Sequence, residues 1–275
     1  MVLKKHSLFL AALIVLAACS STDKKAAQAV QQDKPVNVLY NEAGDLLDQK
    51  KYKEAAKAFD EVERQHPYSE WSTNAELMGA YASYQGDEYD EALSALDRYI
   101  ELHPGSDNVD YALYLKALCY YDQISDVKRD QEMTQKALEG FEALIQRFPD
   151  SKYTRDATLK RDLTLDHLAG KEMTIGRYYQ SRGEINAAIN RFRAVIQNYQ
   201  TTTHTPEALH RLIECYLTLG LKDEATRIAA VLGYNYPGSE WYKRSYSLLD
   251  DNARRKILDK QSFLDRSINS LLRAD

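Results

Sequence analysis

One cysteine in this chain stands in a setting made for reaction. Leu16, Ala17 and Ala18, an aliphatic residue and two small ones, run directly into Cys19, and a thiol becomes a strong nucleophile once deprotonated. The other candidates are weaker. Cys119 and Cys215 lie about a hundred residues apart on different apolar helical stretches, which suits buried thiols better than a disulfide or a metal pair. His66 and His103 each precede a proline that ends a repeat, so they echo one structural position. His204 and His210 are six apart, not the three or four that put two ligands on one helical face. There is no G-x-S-x-G, no H-E-x-x-H and no Gly-rich phosphate loop. Asp87/Glu88, Asp90/Glu91 and Asp250/Asp251 fall in turns or on exposed faces, where solvation explains them. No catalytic residue, metal site or cofactor is expected, and the chain is not read as an enzyme.

The residues ahead of Cys19 say how it is used. Lys4 and Lys5 form a positive n-region, and residues 7–18 make an apolar run too short to span a bilayer, the pattern of a secretory leader. With Leu16-Ala17-Ala18-Cys19 at its end, this leader resembles a bacterial lipoprotein signal. That resemblance implies alkylation of the Cys19 thiol by diacylglycerol and cleavage just before it, so residues 1–18 are lost and the cysteine becomes a lipid-bearing N-terminus. Ser20 and Ser21 follow, where an Asp would resemble an inner-membrane retention signal, so the outer membrane is the expected destination. Two or three acyl chains, at about 0.8 kcal/mol per buried CH₂, hold a folded domain at a bilayer without a spanning helix. Residues 19–35, rich in Lys, Ala, Gln, Ser and Asp, read as a flexible tether.

Losing residues 1–18 removes two lysines and no acid, so the formal charge falls from -5 to -7. A mildly acidic chain is a poor nucleic-acid binder, and no such partner is expected. The remaining length suits a large domain or an elongated repeat array.

The elements that must position any binding residue are helices, and they repeat. An Ala, a large apolar residue four on, another three on and a proline five on describe Ala55, Phe59, Val62 and Pro67. The frame recurs at Ala92, Leu96, Tyr99, Pro104 and at Ala137, Phe141, Leu144, Pro149. It recurs again at Ala188, Phe192, Val195, with Gln200 at the stop, and at Ala225, Ala229, Leu232, Pro237. Steps of four and three put these residues on one helical face, and the proline ends the helix. Pro-x-Ser at Ser69, Ser106, Ser151 and Ser239 offers a cap to each following helix. Eight residues past each stop stands a small residue, Ala75, Ala112, Ala157, Ala208 or Ser245, suited to close helix–helix approach.

This pattern resembles the tetratricopeptide repeat, two antiparallel helices per unit. Gly183 and Gly220 fall at its interhelical turn, where φ > 0 is easy for glycine. The repeat's unit is 34 residues, whereas these stops are 37, 45, 51 and 37 apart, so two units carry insertions. One is expected at residues 122–131, between the helices of the third repeat; another lengthens the first helix of the fourth, around residues 161–172. The expected fold is all-α: an α-solenoid of five tetratricopeptide-like helix pairs plus a C-terminal capping helix. Repeats 1–2 occupy 36–108, repeats 3–5 occupy 109–238, and 239–275 forms the capping helix near Trp241 and an amphipathic tail. Twenty tyrosines against six phenylalanines stand out. Most fit core positions, while those on the first helices of repeats 2 and 3 can line a solenoid groove as amphipathic anchors for an extended peptide.

Several segments narrow the resemblance. Pro67-Tyr68-Ser69, Tyr81-Ala82-x-Tyr84, Ala95-Leu96-Asp97-Arg98-Tyr99-Ile100, Asn108-Val109-Asp110-Tyr111-Ala112, Phe148-Pro149-Asp150-Ser151-Lys152-Tyr153 and Tyr178-Tyr179-x-x-Arg182-Gly183 together resemble the BamD family of outer-membrane assembly lipoproteins. The likeness runs in order over about residues 36–250, and the tail is longer than the family pattern. It implies a lipid-anchored scaffold at the periplasmic face of the outer membrane. Such a scaffold binds unfolded β-barrel precursors, docks on a POTRA domain of the barrel protein BamA and sits beside the complex's other lipoproteins. Carried onto this sequence, it implies Arg191 as the contact to an acidic POTRA residue and Tyr81, Tyr84, Asp110 and Tyr114 as precursor-binding residues. Arg129 and Asp130 are expected to pair with each other and hold the insertion. The competing reading is another periplasmic repeat lipoprotein, a secretin pilotin or an envelope-enzyme adaptor, which shares anchor and repeats.

Overall fold

A computed structural model describes residues 34–255; the leader, Cys19, residues 20–33 of the tether and the tail after residue 255 lie outside the described residues. The described residues form eleven α-helices and no strand. They run as five pairs, α1 (Val36–Asp48) with α2 (Tyr52–Gln65), α3 (Glu70–Gln85) with α4 (Tyr89–Leu102), α5 (Val109–Tyr121) with α6 (Glu132–Arg147), α7 (Thr154–Ser181) with α8 (Ile185–Asn198) and α9 (Thr205–Thr218) with α10 (Lys222–Asn235). α11 (Glu240–Leu248) caps the stack, and a further helical stretch begins at Asp251. Each helix packs on its neighbours in sequence, and the first helices of successive pairs also touch at α1–α3 and α3–α5. This is the expected tetratricopeptide-like solenoid.

The repeat frame is the core. All its apolar members, from Ala55, Phe59 and Val62 to Ala225, Ala229 and Leu232, are buried, as are Ala75, Ala112, Ala157, Ala208 and Ser245 opposite them. α2, α4 and α6 each stop two residues before their proline, because a proline excludes the α conformation from the residue ahead of it. The turns inside four pairs share one closure. The N–H groups of Lys51, Glu88, Glu184 and Leu221 bond back to the carbonyls of Leu46, Ser83, Tyr179 and Tyr216. The residue just before each donor takes positive φ: Gly183 (78°) and Gly220 (75°), but also Lys50 (59°) and Asp87 (58°). This is the Schellman arrangement, and the first two pairs adopt it without glycine.

The four Pro-x-Ser serines divide into two that cap and two that do not. Ser69 and Ser239 cap α3 and α11, accepting from the N–H groups of Ser72 and Tyr242 at 3.1 Å. Ser106 and Ser151 do not cap, because α5 and α7 begin three residues later. Their hydroxyls instead bond Tyr99 (2.8 Å) and Asp110 (2.5 Å). The expected tether also ends early. Lys34 donates its N–H to Gln65, its carbonyl accepts from His66 Nε2 at 2.7 Å, and its ammonium pairs with Glu42.

The 122–131 insertion and the lengthening of α7 form one device. Lys171 Nζ donates to the carbonyls of Lys128 and Arg129, both at 2.9 Å, and His167 Nδ1 meets Gln131 Oε1 at 2.9 Å. On the same stretch of α7, Asp166 accepts from the N–H and hydroxyl of Thr203, in the turn between α8 and α9. The extra turns of this 28-residue helix therefore hold two loops at once. Cys119 and Cys215 are free and buried, and burial foremost pushes their thiols up to about 12 and about 11. Neither is a thiolate near neutral pH.

Candidate binding surfaces

Tyr81 and Tyr84 on α3, with Asp110, Tyr111 and Tyr114 on α5, are half-buried, and the chain brings them into one strip. The strip is largely self-satisfied. The Tyr84 hydroxyl donates to Asp122 Oδ2 at 2.6 Å, and its ring meets Tyr89 edge-on at 6.1 Å. Tyr114 donates to Asp156 and stacks on Tyr153, 5.1 Å away and 15° from parallel. Tyr111 meets the same Tyr153 ring at 5.1 Å. Burial first, then the neighbouring carboxylate, raises the phenol pKa of Tyr84 and of Tyr114, so each stays a hydrogen-bond donor. Asp110 accepts from Ser151. Tyr81 is the one of these four predicted residues whose polar side-chain atoms have no hydrogen-bond partner among the described residues, and it packs against the core of repeats 2 and 3. Tyr153 was not singled out from the sequence. It sits just before α7 and becomes the shared platform of the strip only when α5 and α7 pack.

Arg191 lies on α8, 43% exposed, with Nη1 3.2 Å from Glu172 on the lengthened part of α7. Together with Tyr179, Ala187, Asn190 and Ala194 the pair lines an open cavity of about 230 Å³. Tyr178, exposed, lies nearby in sequence under the Arg182 guanidinium, 5.6 Å from its ring. The guanidinium is thus presented at the surface yet already has a carboxylate, which sequence spacing of 19 residues did not reveal.

The expected Arg129–Asp130 pair is absent among the described residues. The Asp130 carboxylate accepts from the Glu132 N–H at 2.8 Å and so starts α6, while Arg129 contributes its carbonyl to Lys171. An acid next to a helix start is drawn to free N–H groups, and that local bond competes successfully with an exposed arginine.

A further polar cluster joins α7, α9 and α11. His210 Nδ1 lies 2.8 Å from Ser245 Oγ and its Nε2 3.3 Å from Glu214 Oε1. The order Ser–His–Glu resembles a nucleophile with its base, but Ser245 has no exposed surface and His210 only 4%, so no substrate atom reaches the hydroxyl. The cluster is a bracket between helices. Glu214 also accepts from Gln180 and Arg211, and Trp241 lies against His210 at 5.2 Å with Arg244 and Arg211 over its ring.

Hydrogen bonding from His210, with those from Gln180 and Arg211, holds the Glu214 carboxyl down to about 2, against its ordinary 4.5. A depressed carboxylate adds stability above its unfolded pKa and loses it as pH falls through the folded one. The native state is therefore expected to lose about 2–3 kcal/mol between pH 4.5 and 2 from this group. Urea unfolding against pH checks it: Glu214→Gln should flatten that slope, and an unchanged slope would assign the acid sensitivity elsewhere.

Comparison with known proteins gives one consistent answer. A family model described as YfiO, outer membrane lipoprotein, matches residues 32–232. The chain is 50% identical over 252 residues to the outer membrane protein assembly factor BamD of Caulobacter vibrioides, covering 91% of this chain and 83% of that one. It is 52% identical over 215 residues to the BamD of Rickettsia prowazekii (78% and 86% covered), and 36% over 256 residues to that of Neisseria meningitidis serogroup A (89% and 96%).

Proposed function

The chain belongs to the YfiO/BamD family of outer membrane lipoproteins, and from that membership we propose that it is a non-enzymatic assembly factor for outer membrane proteins. The observation that carries this reading is collinear identity: half of 252 aligned residues are shared with a relative named as such a factor. It outweighs the pilotin and adaptor readings, which share only an anchor and repeats.

In this reading Cys19 carries the lipid and fixes the solenoid at the periplasmic face of the outer membrane. Anchoring raises the effective concentration of captured precursor beside the insertion machine, so a groove of modest affinity suffices. The C-terminal pairs dock through Arg191 on a POTRA domain of a BamA-like barrel protein, alongside the complex's other lipoproteins. The tyrosine strip on α3 and α5 takes up unfolded β-barrel precursors. Tyr81 leads that role, since its hydroxyl has no hydrogen-bond partner among the described residues, whereas Tyr84, Tyr114 and Asp110 must exchange an internal partner for a peptide group. Such exchange gives weak, reversible binding, which suits a substrate that has to be passed on.

Crosslinking the lipidated protein in outer membranes, followed by affinity purification, tests the proposal. Recovery of a POTRA-containing barrel protein is the expected result. Recovery of a secretin or a cell-wall enzyme in its place would overturn it.

A further inference from the structure

Three large apolar or aromatic side chains stand exposed at the end where the chain enters the solenoid. Tyr68, in the turn between α2 and α3, is fully exposed; Trp71 in the first turn of α3 is 41% exposed and Val38 in the first turn of α1 is 39% exposed. The Trp71 ring is held edge-on by Tyr40 at 5.0 Å, and Tyr40 in turn meets buried Phe59 at 5.4 Å, so the exposed indole has a rigid base. Lys34 is fixed beside them. Its backbone is bonded to Gln65 and His66, and His66 lies two residues from Tyr68.

That position decides which partner fits. Fifteen residues separate Cys19 from Lys34. At about 3.3–3.6 Å per residue they hold Lys34 no farther than about 50 Å from the lipid-bearing sulfur. Among the exposed apolar side chains of the described residues, Val38 lies nearest the anchor along the chain, and Tyr68 stands two residues from the His66 that Lys34 holds. Their chemistry matches the bilayer boundary, where amphipathic Trp and Tyr rings place an apolar body among acyl carbons and a polar tip among headgroups. Tyr68 also projects from a turn with its whole ring free, which suits insertion into a soft interface rather than capture of a peptide side chain in a pocket.

We propose that Tyr68, Trp71 and Val38 form a membrane-contacting tip that docks the first helix pair on the phospholipid surface beside the anchor. This rests on the reading of Cys19 as the lipid site. The tip adds orientation to attachment: lipid alone fixes distance, whereas a second contact on a rigid helix pair limits how the solenoid turns over the membrane.

The test uses the full lipidated protein reconstituted in phosphatidylethanolamine/phosphatidylglycerol vesicles, with and without bromine-labelled acyl chains, which quench indole emission on contact. The expected result is flotation with the vesicles and bromolipid quenching in the wild type that disappears in Trp71→Phe. Tyr68→Ser should float equally well and show reduced quenching. Flotation without any Trp71-dependent quenching would overturn the tip while leaving the anchor intact. Failure to float would overturn the anchor and the tip with it. Quenching that is absent with vesicles alone, with Trp71 emission instead shifted by an unfolded aromatic-ended barrel peptide, would also overturn the tip and assign this surface to precursor.

Discussion

Gly176→Ala is expected to destabilise the protein by about 2 kcal/mol, although alanine is the better helix former by about 1 kcal/mol. Gly176 lies inside α7, and a Cβ built there would meet Cε1 of Phe192 at 2.5 Å, Cδ1 at 2.8 Å and Cζ at 2.9 Å. Phe192 has no exposed surface and is packed with Met173, Ala188 and Val195, so its ring has nowhere to retreat. Overpacking by a carbon in a closed core costs about 1–3 kcal/mol, and a contact this short belongs at the upper end. Gly44, inside α1 with nothing within 4 Å of its Cβ position, is the control, and Gly44→Ala should stabilise by up to about 1 kcal/mol. Urea unfolding followed by helical circular dichroism measures both. The decisive comparison is the double mutant. In a Phe192→Ala background, itself about 3–5 kcal/mol less stable, Gly176→Ala should become neutral or stabilising. If its cost is the same in both backgrounds, the ring contact is not its cause.

That pairing of a glycine with a phenylalanine sixteen residues on was half legible in the sequence. Phe192 belongs to the repeat frame, because a short-range period writes a helix face into neighbouring residues, whereas Gly176 lies on the facing helix α7 and meets that ring only through packing. The same period located the insertion after Tyr121 and the long α7. It could not show that these two insertions hold each other, since the Lys171 bonds reach back more than forty residues to backbone carbonyls, which have no sequence signature. The tyrosines illustrate the same limit. Their helix and face were readable, but Tyr84 finds Asp122 and Tyr114 finds Asp156 across pairs of helices, so groups that look available in the sequence are committed in the fold. Local rules failed where another partner won: the Ser106 and Ser151 hydroxyls bond Tyr99 and Asp110 on neighbouring helices and do not cap, and Asp130 serves a helix start rather than Arg129.

Arg191 brings the two kinds of information together. Arg191→Glu is expected to abolish capture of a POTRA-containing partner, but it also sets a second carboxylate against Glu172, so loss of binding alone is ambiguous. Swapping the pair resolves it. Arg191→Glu with Glu172→Arg keeps an internal ion pair of the same geometry and reverses only the charge presented at the cavity mouth. An exposed pair such as this contributes about 0–1 kcal/mol to stability, so the swapped protein should unfold close to the wild-type midpoint. Docking on an acidic partner group is a different matter. Removing a charge that is desolvated in an interface costs about 2–5 kcal/mol, and placing the wrong sign there adds repulsion, so affinity should fall at least about thirtyfold. Stability retained with capture lost would assign Arg191 to the interface. Capture retained in the swapped protein would mean that the guanidinium serves α7 and α8 alone, and that the partner reads another part of the C-terminal surface.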